Sequence, residues 1–192
     1  PKPPTENKLQ HLAYQIAQQI DSNGLHQTSL ENLILFRESQ GRGREQVMYE
    51  PALIIAAQGK KYVYLDGTRY EYNAGQFLAL FMPMAVECEV IEASEEKPML
   101  GLGIRLDRHR LAKLLLKMDG ANPSTTGPEV VDTSGIFSAP LKDNLLDAAT
   151  RLVATLDDPA ETAILGEALI AEIYFRILSL IHISEPTRPL HI

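Results

Sequence analysis

Histidine is the commonest metal ligand in proteins, and this chain contains five of them: His11, His26, His109, His182 and His191. A catalytic metal site in a β-rich domain needs converging imidazoles and carboxylates, typically with two histidines close together on one strand. We assign His11 and His109 to helices, His26 to a loop, and the last two to the end of the chain. None lies on a predicted strand, so the sequence predicts neither a metal site nor a cofactor.

Covalent catalysis would need an activated nucleophile, and the single cysteine, Cys88, is the first candidate. It alternates with Glu87 and Glu89 in VECEV, with no histidine or arginine close in sequence to activate the thiol. A small buried hydrophobic residue is the favoured interpretation. The sequence also has no GxSxG, P-loop or GxGxxG motif, so it predicts no catalytic residues.

Tyrosines are better placed to contact a ligand. Tyr62 and Tyr64 share one face of a predicted strand, and Tyr70 and Tyr72 share one face of the next. Their rings, with polar tips, could line a cavity. Cross-strand aromatic pairs that only stabilise the hairpin are the somewhat favoured alternative.

The elements that must position these side chains follow from hydrophobic periodicity. Apolar residues recur at helical spacing over residues 8–20, which predicts an N-terminal helix. Short β-type runs follow, separated by Gly, Pro and Asp with no helices between them, and predict an antiparallel sandwich or barrel. In the last run, Gly101 and Gly103 leave two interpretations equally open: close backbone packing and space for a ligand. The predicted β-type runs are 33–39, 52–59, 86–93 and 98–106, together with the stretch 62–83, in which two runs flank Asp66-Gly67 and another follows Gly75.

Helices are predicted after the last strand. Asp107 is placed to cap one helix, and residues 143–156 carry one apolar face. Asp158, Pro159 and Glu161 form an N-cap, a first-position proline and a capping-box acid, which predict another helix. We assign Arg42 and Arg44 to a solvated loop. The predicted organisation is an N-terminal arm and helix (1–28), a β-barrel (29–106), a C-terminal helical region (107–181) and a non-native tail (182–192).

Charge and hydropathy restrict the partners. The formal net charge of −7 disfavours a nucleic-acid surface, because phosphate binding needs clustered Lys and Arg. We therefore expect no DNA binding by this chain alone. One cysteine cannot form an intramolecular disulfide, and we find neither a signal peptide nor a long apolar run. A cytoplasmic location without membrane contact is expected.

Several blocks are more specific than their periodicity. The segments MYEPALIIAAQGKK (48–61), DGTRYEYNAGQFL (66–78) and EASEEKPMLGLGIRLD (92–107) resemble the N-terminal domain of AraC-type transcriptional regulators in order and spacing. The resemblance covers about residues 29–180 and implies a mainly β fold, a cupin-like barrel with flanking helices. Such a domain senses an effector, mediates dimerisation, or both. In that family a second domain with helix-turn-helix motifs binds DNA, and it is absent from this chain.

The resemblance leaves two alternatives open. A cupin-type enzyme, an isomerase or oxygenase, would need the metal motif HxH, whereas the corresponding hairpin here reads RYEYNAGQF. A purely structural dimerisation module would have a filled barrel. The identity of the effector is not fixed by these motifs.

We expect a metal-free and mainly apolar barrel interior that admits a small organic effector. A one-residue slip in register would exchange inside for outside. The predicted lining residues are Tyr62, Tyr64, Tyr72, Phe77, Cys88, Leu102 and Ile104. We also expect a homodimer, because the apolar surface between residues 163 and 181 is wider than one core contact requires. The predicted interface residues are Leu165, Leu169, Ile173 and Ile177.

Overall fold

The structure is a computed structural model that describes residues 4–121 and 135–183, without the side chains of Pro4, His182 and Ile183. Within these residues the helices are α1 (Pro4–Gln19), α2 (Arg108–Ala121), α3 (Asp143–Ala154) and α4 (Pro159–Ile183), with a 3-10 turn at Thr155–Asp157. The strands are β1 (Gly24–Gln27), β2 (Leu33–Glu38), β3 (Arg42–Tyr49), β4 (Ala52–Gln58), β5 (Lys60–Leu65), β6 (Thr68–Asn73), β7 (Gln76–Leu80), β8 (Met84–Glu92), β9 (Met99–Arg105) and β10 (Ile136–Pro140).

The strands form two antiparallel sheets that face each other. One has six strands in the order β1-β2-β9-β4-β7-β10, and the other has four in the order β3-β8-β5-β6. This arrangement confirms the predicted strand-rich barrel with flanking helices. Both edge strands of the larger sheet, β1 and β10, lie outside the predicted range of 29–106, so the barrel extends further in both directions.

The six-stranded sheet separates two apolar cores. The first, called the helix-side core, lies between this sheet and helices α1, α3 and α4. The second, called the intersheet core, lies between the two sheets. The buried residues of the intersheet core are Phe36, Ile54, Ala56, Val63, Tyr72, Leu78, Leu80, Met84, Val86, Cys88, Val90, Met99 and Ile136. Strand β7 contributes to both cores, because it has apolar residues on both of its faces.

Two helices begin where the capping residues predict. The carboxylate of Asp107 accepts hydrogen bonds from the backbone N–H groups of His109 at 2.9 Å and Arg110 at 3.1 Å. Asp158 likewise accepts from the N–H of Ala160 at 2.8 Å, and α4 starts at Pro159. These bonds satisfy donors that the first turn of a helix leaves without an intrahelical partner.

The segment assigned to a solvated loop is strand β3, an edge of the four-stranded sheet. It pairs with β8, with a register shift between Arg42 and Glu45. Its first residues are polar and exposed, as is common on an edge strand, so they give no apolar alternation to detect. Arg42 and Arg44 therefore lie on a strand and not in a loop.

Two further register shifts lie close together at one end of the barrel. Ala56 pairs with Gly101 while Gln58 pairs with Leu100, which leaves Ala57 as an extra residue in β4. Lys61 pairs with Val90 while Lys60 pairs with Glu92, which leaves Ile91 as an extra residue in β8. Bulges of this kind bend the strand and redirect side chains.

Among the helices within 4–121 and 135–183, none is both long enough and apolar enough to cross a lipid bilayer. Helix α4 continues to Ile183, so it includes the first two residues of the predicted tail. Residues 184–192 of that tail lie outside the described residues.

Candidate ligand-binding and dimerisation sites

Tyr62 and Tyr64 lie on the outer face of the four-stranded sheet. Val63 between them belongs to the intersheet core, so its two neighbours point away from the interior. The guanidinium carbon of Arg44 lies 3.5 Å from the centre of the Tyr64 ring, and that of Arg69 lies 4.4 Å from the centre of the Tyr62 ring. The prediction that these two tyrosines line the interior is wrong by one residue of register, and they instead form a half-buried aromatic and cationic surface on the outer face of the sheet.

Phe77, Leu102 and Ile104 are fully buried, but in the helix-side core. Their strands are covered on both faces, so apolar residues alone do not distinguish the inner face from the outer. In β9 the residues that face the other sheet include Met99 and Gly101. The prediction that these three side chains line the barrel interior is therefore corrected: they hold the sheet against the helices.

Tyr72 and Cys88 do lie between the sheets. The Cys88 thiol donates a hydrogen bond to the hydroxyl of Tyr49, with 3.2 Å between sulfur and oxygen. The Tyr72 hydroxyl is buried and has no hydrogen-bond partner among the described residues. Burial raises the pKa of both tyrosines well above the ordinary value, with the neighbouring Cys88 adding to the shift. Both phenols are therefore neutral hydrogen-bonding groups at physiological pH.

An ion pair that the sequence does not predict lies near Tyr72 in the interior. Lys61 points inward from β5, and its ammonium lies 3.5 Å from the carboxylate of Glu38. Glu38 is also held by Arg42 at 3.0 Å. Lys61 is only 9% exposed. The alternation along β5 places Lys61 on the same inner face as Val63. A lysine on an inner face is unusual, so the sequence alone does not predict this ion pair.

The intersheet core is tightly packed around Gly101. A Cβ atom on Gly101 would lie 2.3 Å from Cζ of Phe36, so this glycine is needed for close packing. At Gly103 the nearest atom to such a Cβ is a backbone oxygen 4.0 Å away, which leaves local space. Close packing is therefore the role of Gly101, whereas Gly103 leaves space.

Two clefts lie outside this core. The first, of about 440 Å³, is called the α1 cleft and lies between α1 and the barrel end that carries the two bulges. Its walls include Leu9, Ala57, Ile91, Glu92 and Lys97. The second, of about 370 Å³, lies on the outer face of the four-stranded sheet beside Arg44, Tyr64 and Glu87.

The surface of α4 differs from the predicted dimer interface. Leu169, Ile173 and Ile177 are buried in the helix-side core of their own chain, so they are unavailable to a partner. Helix α4 is apolar around most of its circumference, and its periodicity could not separate the inner face from the outer. Leu165 is 45% exposed, next to an exposed stripe. This outer α4 stripe consists of Ile164, Ala168, Ala171 and Phe175.

His11, His26 and His109, the histidines with described side chains, belong to no group that could hold a metal ion. His26 lies on the edge strand β1 rather than in a loop, with Nε2 2.8 Å from the carbonyl oxygen of Ser22. Across residues 4–121 and 135–183, no three His, Cys, Asp or Glu side chains are grouped to hold a metal ion. His191 lies outside the described residues.

The sequence comparison decides the family. Residues 29–182 match the family model described as the AraC-type transcriptional regulator N-terminus. The chain belongs to this family. No curated protein matches the sequence of this AraC-type domain.

Solved structures support the fold of the AraC-type domain. An apo point variant of ToxT from Vibrio cholerae superimposes with a TM-score of 0.54 at 8% identity, over 85% of this chain and 58% of that chain. Wild-type ToxT bound to an unsaturated fatty acid gives a TM-score of 0.52 at 7% identity, over 86% of this chain and 57% of that chain. The AraC-type domain thus spans less than two thirds of the length of either ToxT chain.

Proposed function

We propose that this chain is the dimerising and effector-sensing part of an AraC-type transcriptional regulator, and that it forms a homodimer through the outer α4 stripe. The single observation that carries the dimer is the exposure of this stripe. Ile164 is 75% exposed and Phe175 is 43% exposed, on a helix whose opposite face is fully buried. Apolar residues recur there at 164, 168, 171 and 175, a spacing that fits one helix packed along another.

A second copy of the chain is the partner that this stripe fits best. Small residues, Ala168 and Ala171, lie at its centre between the larger Ile164 and Phe175, so two such stripes can approach closely. Acidic and basic residues flank the stripe: Glu167 is paired with Arg110, and Glu172 with Arg151. Mixed charge around an apolar centre is typical of the rim of a protein interface.

Sedimentation equilibrium tests this proposal. We expect wild-type protein to sediment as a dimer, and Ile164→Asp and Phe175→Asp to sediment as folded monomers. Leu25→Asp is the matched control, because Leu25 is 77% exposed on β1, away from α4, and its replacement should leave the dimer intact. A monomeric wild-type protein at high concentration, or dimers in both α4 variants, would refute the proposed interface.

We propose in addition that a small organic effector bound between the sheets would place a polar group beside Tyr72 and Cys88. The unpartnered hydroxyl of Tyr72 supports this, since a buried donor without a partner is costly and a ligand acceptor would satisfy it. The ToxT structure with a bound fatty acid shows that a regulator with a related fold holds an organic ligand. Native mass spectrometry of protein purified from its host should show a bound small molecule, at lower occupancy in Tyr72→Phe. Identical spectra without added mass would contradict this second role.

We propose that the domain itself is non-catalytic and works in the cytoplasm, and that another part of the regulator contacts DNA. The acidic charge of −7 supports the last point. An electrophoretic mobility assay should show no specific retardation of promoter fragments by this chain. Stoichiometric Fe, Mn, Ni or Zn in purified protein, together with turnover, would instead favour a cupin-type enzyme.

A further inference from the structure

The α1 cleft is built by an unusual combination of local features. Both extra residues of the two bulges, Ala57 in β4 and Ile91 in β8, line it, and Leu9 of α1 forms the facing wall. Ile91 is 39% exposed. Bulges are over-represented beside functional sites because they redirect a side chain that regular pairing would place elsewhere.

The size and lining suit a small organic molecule. A volume of about 440 Å³ falls within the range of small-molecule sites, which is roughly 300–1,000 Å³. Small side chains, Ala57, Ala74 and Ala93, keep the floor open. Polar groups of Gln10 and Ser94 lie at the same cleft and can orient a ligand.

The charges of the lining determine which charge a ligand of this cleft carries. Glu6 and Glu92 contribute two carboxylates to the lining and Lys97 contributes an ammonium, while Lys60, which pairs with Glu92 across β5 and β8, adds a second ammonium nearby. Glu95 and Glu96 precede Lys97 in the same loop and add to the negative potential. We propose that the α1 cleft binds a small organic cation with an apolar body, of the chemical class of a short alkylamine. The alkyl chain covers Leu9 and Ile91, and the ammonium lies among the carboxylates.

Helix α1 connects this cleft to the outer α4 stripe. On its other side, the ammonium of Lys8 lies 3.2 Å from the carboxylate of Asp147 and 3.7 Å from that of Asp143, both in α3. Arg151 of α3 in turn binds Glu172 of α4. A ligand that favours one position of α1 therefore acts on the outer α4 stripe through the ion pairs of α3. The binding step is independent of the proposed function, whereas its effect on dimerisation rests on it.

Three probes of equal length test the binding step: hexylammonium, hexanoate and hexanol, each titrated into ¹⁵N-labelled protein at pH 7. We expect hexylammonium to bind with a dissociation constant on the order of 1 mM and to shift the amide signals of Leu9, Ala57 and Ile91. Hexanoate should cause no such shifts. Hexanol should bind at least threefold more weakly than hexylammonium, since it lacks the charge.

Two variants and two controls locate the site. Ala74→Leu fills the cleft from an exposed position and should weaken hexylammonium binding more than tenfold, whereas Ala112→Leu on α2 should not. Glu92→Gln should weaken it about threefold, whereas Glu96→Gln outside the lining should have less effect. Equal binding of hexanoate, shifts centred elsewhere, or full binding to Ala74→Leu would overturn the proposal. If hexylammonium binds as expected to a protein that sediments as a monomer, the cleft is confirmed and the proposed dimer fails.

Discussion

The carboxylate of Glu172 in α4 accepts two hydrogen bonds from Nη2 of Arg151 in α3, at 2.9 and 3.1 Å. Arg176, one turn further along α4, reaches the same carboxylate at 3.2 Å. The hydrogen bond from Arg151 is the largest cause of a lowered pKa of Glu172, and Arg176 adds to it. This carboxylate thus ties the helix that contacts α1 to the helix that carries the outer α4 stripe.

Replacing Glu172 by Gln should lower the free energy of unfolding by about 1 kcal/mol at pH 7, since the group is partly screened by solvent. A carboxyl whose pKa is lower in the folded state stabilises the fold above its unfolded pKa, and this contribution is lost as pH falls through the folded pKa. The difference between wild type and variant should therefore shrink below about pH 4. Urea denaturation at several pH values measures it. Glu96→Gln is the control, and a difference that stays constant with pH would contradict the expectation.

Tyr72→Phe should stabilise the ligand-free protein by about 1–3 kcal/mol, because it removes a buried hydroxyl that has no partner among the described residues. Tyr174→Phe is the matched control and should have the opposite effect on stability. The Tyr174 hydroxyl donates to the carbonyl of Arg105 and accepts from the N–H of Asp107, so its loss should destabilise by about 1–2 kcal/mol. Urea denaturation of both variants gives the two signs. Equal destabilisation would mean that the Tyr72 hydroxyl is satisfied in solution.

Gly101→Ala should destabilise the protein by about 3 kcal/mol. The added methyl group would collide with both the ring of Phe36 and the carbonyl oxygen of Ile55, because each lies well inside van der Waals contact. Gly103→Ala, two residues along the same strand, meets nothing closer than 4.0 Å and should change stability by no more than about 0.5 kcal/mol. Thermal and urea denaturation compare the pair. Similar losses in both variants would mean that β9 resists any added side chain.

The ion pair between Lys61 and Glu38 should respond asymmetrically to substitution. Lys61→Met leaves Glu38 still bound to Arg42, so the expected loss is below about 1 kcal/mol. Glu38→Gln leaves the buried ammonium of Lys61 without its carboxylate, and should cost about 3 kcal/mol. Urea denaturation at pH 7 separates the two. A larger loss for Lys61→Met than for Glu38→Gln would show that the lysine has another role.

Local signals in the sequence predicted local structure well. Asp66 and Gly67 adopt positive φ in the two-residue turn between β5 and β6, and the Asp-Gly pair is a local sequence signal for such a turn. Asp107 and Asp158 mark helix starts for the same reason: a cap depends on a few adjacent residues. The family resemblance rested on such blocks and was confirmed.

Local signals did not predict which face of a strand or helix points into which core. Phe77 and Leu102 have apolar neighbours on both sides of their strands, so alternation gives no direction. Helix α4 presents the same ambiguity, since Ile164 and Ile173 look alike in sequence and only tertiary packing decides that Ile173 is inside. The α1 cleft depends on register shifts at Ala57 and Ile91, which no local pattern announces.

The order of strands in the six-stranded sheet has a consequence for how the chain reaches its native state. The hairpin of β5 and β6 can close early because its strands are adjacent in sequence. Strand β2, by contrast, must wait for β9, whose residue Ile104 lies far from its partner Leu33 along the chain. Strand β10 arrives later still, after α2, and until it pairs with β7 that sheet edge is open to other chains. During synthesis on the ribosome, the interval between the emergence of β7 and β10 is therefore when this protein is most exposed to misassembly and has most need of a chaperone.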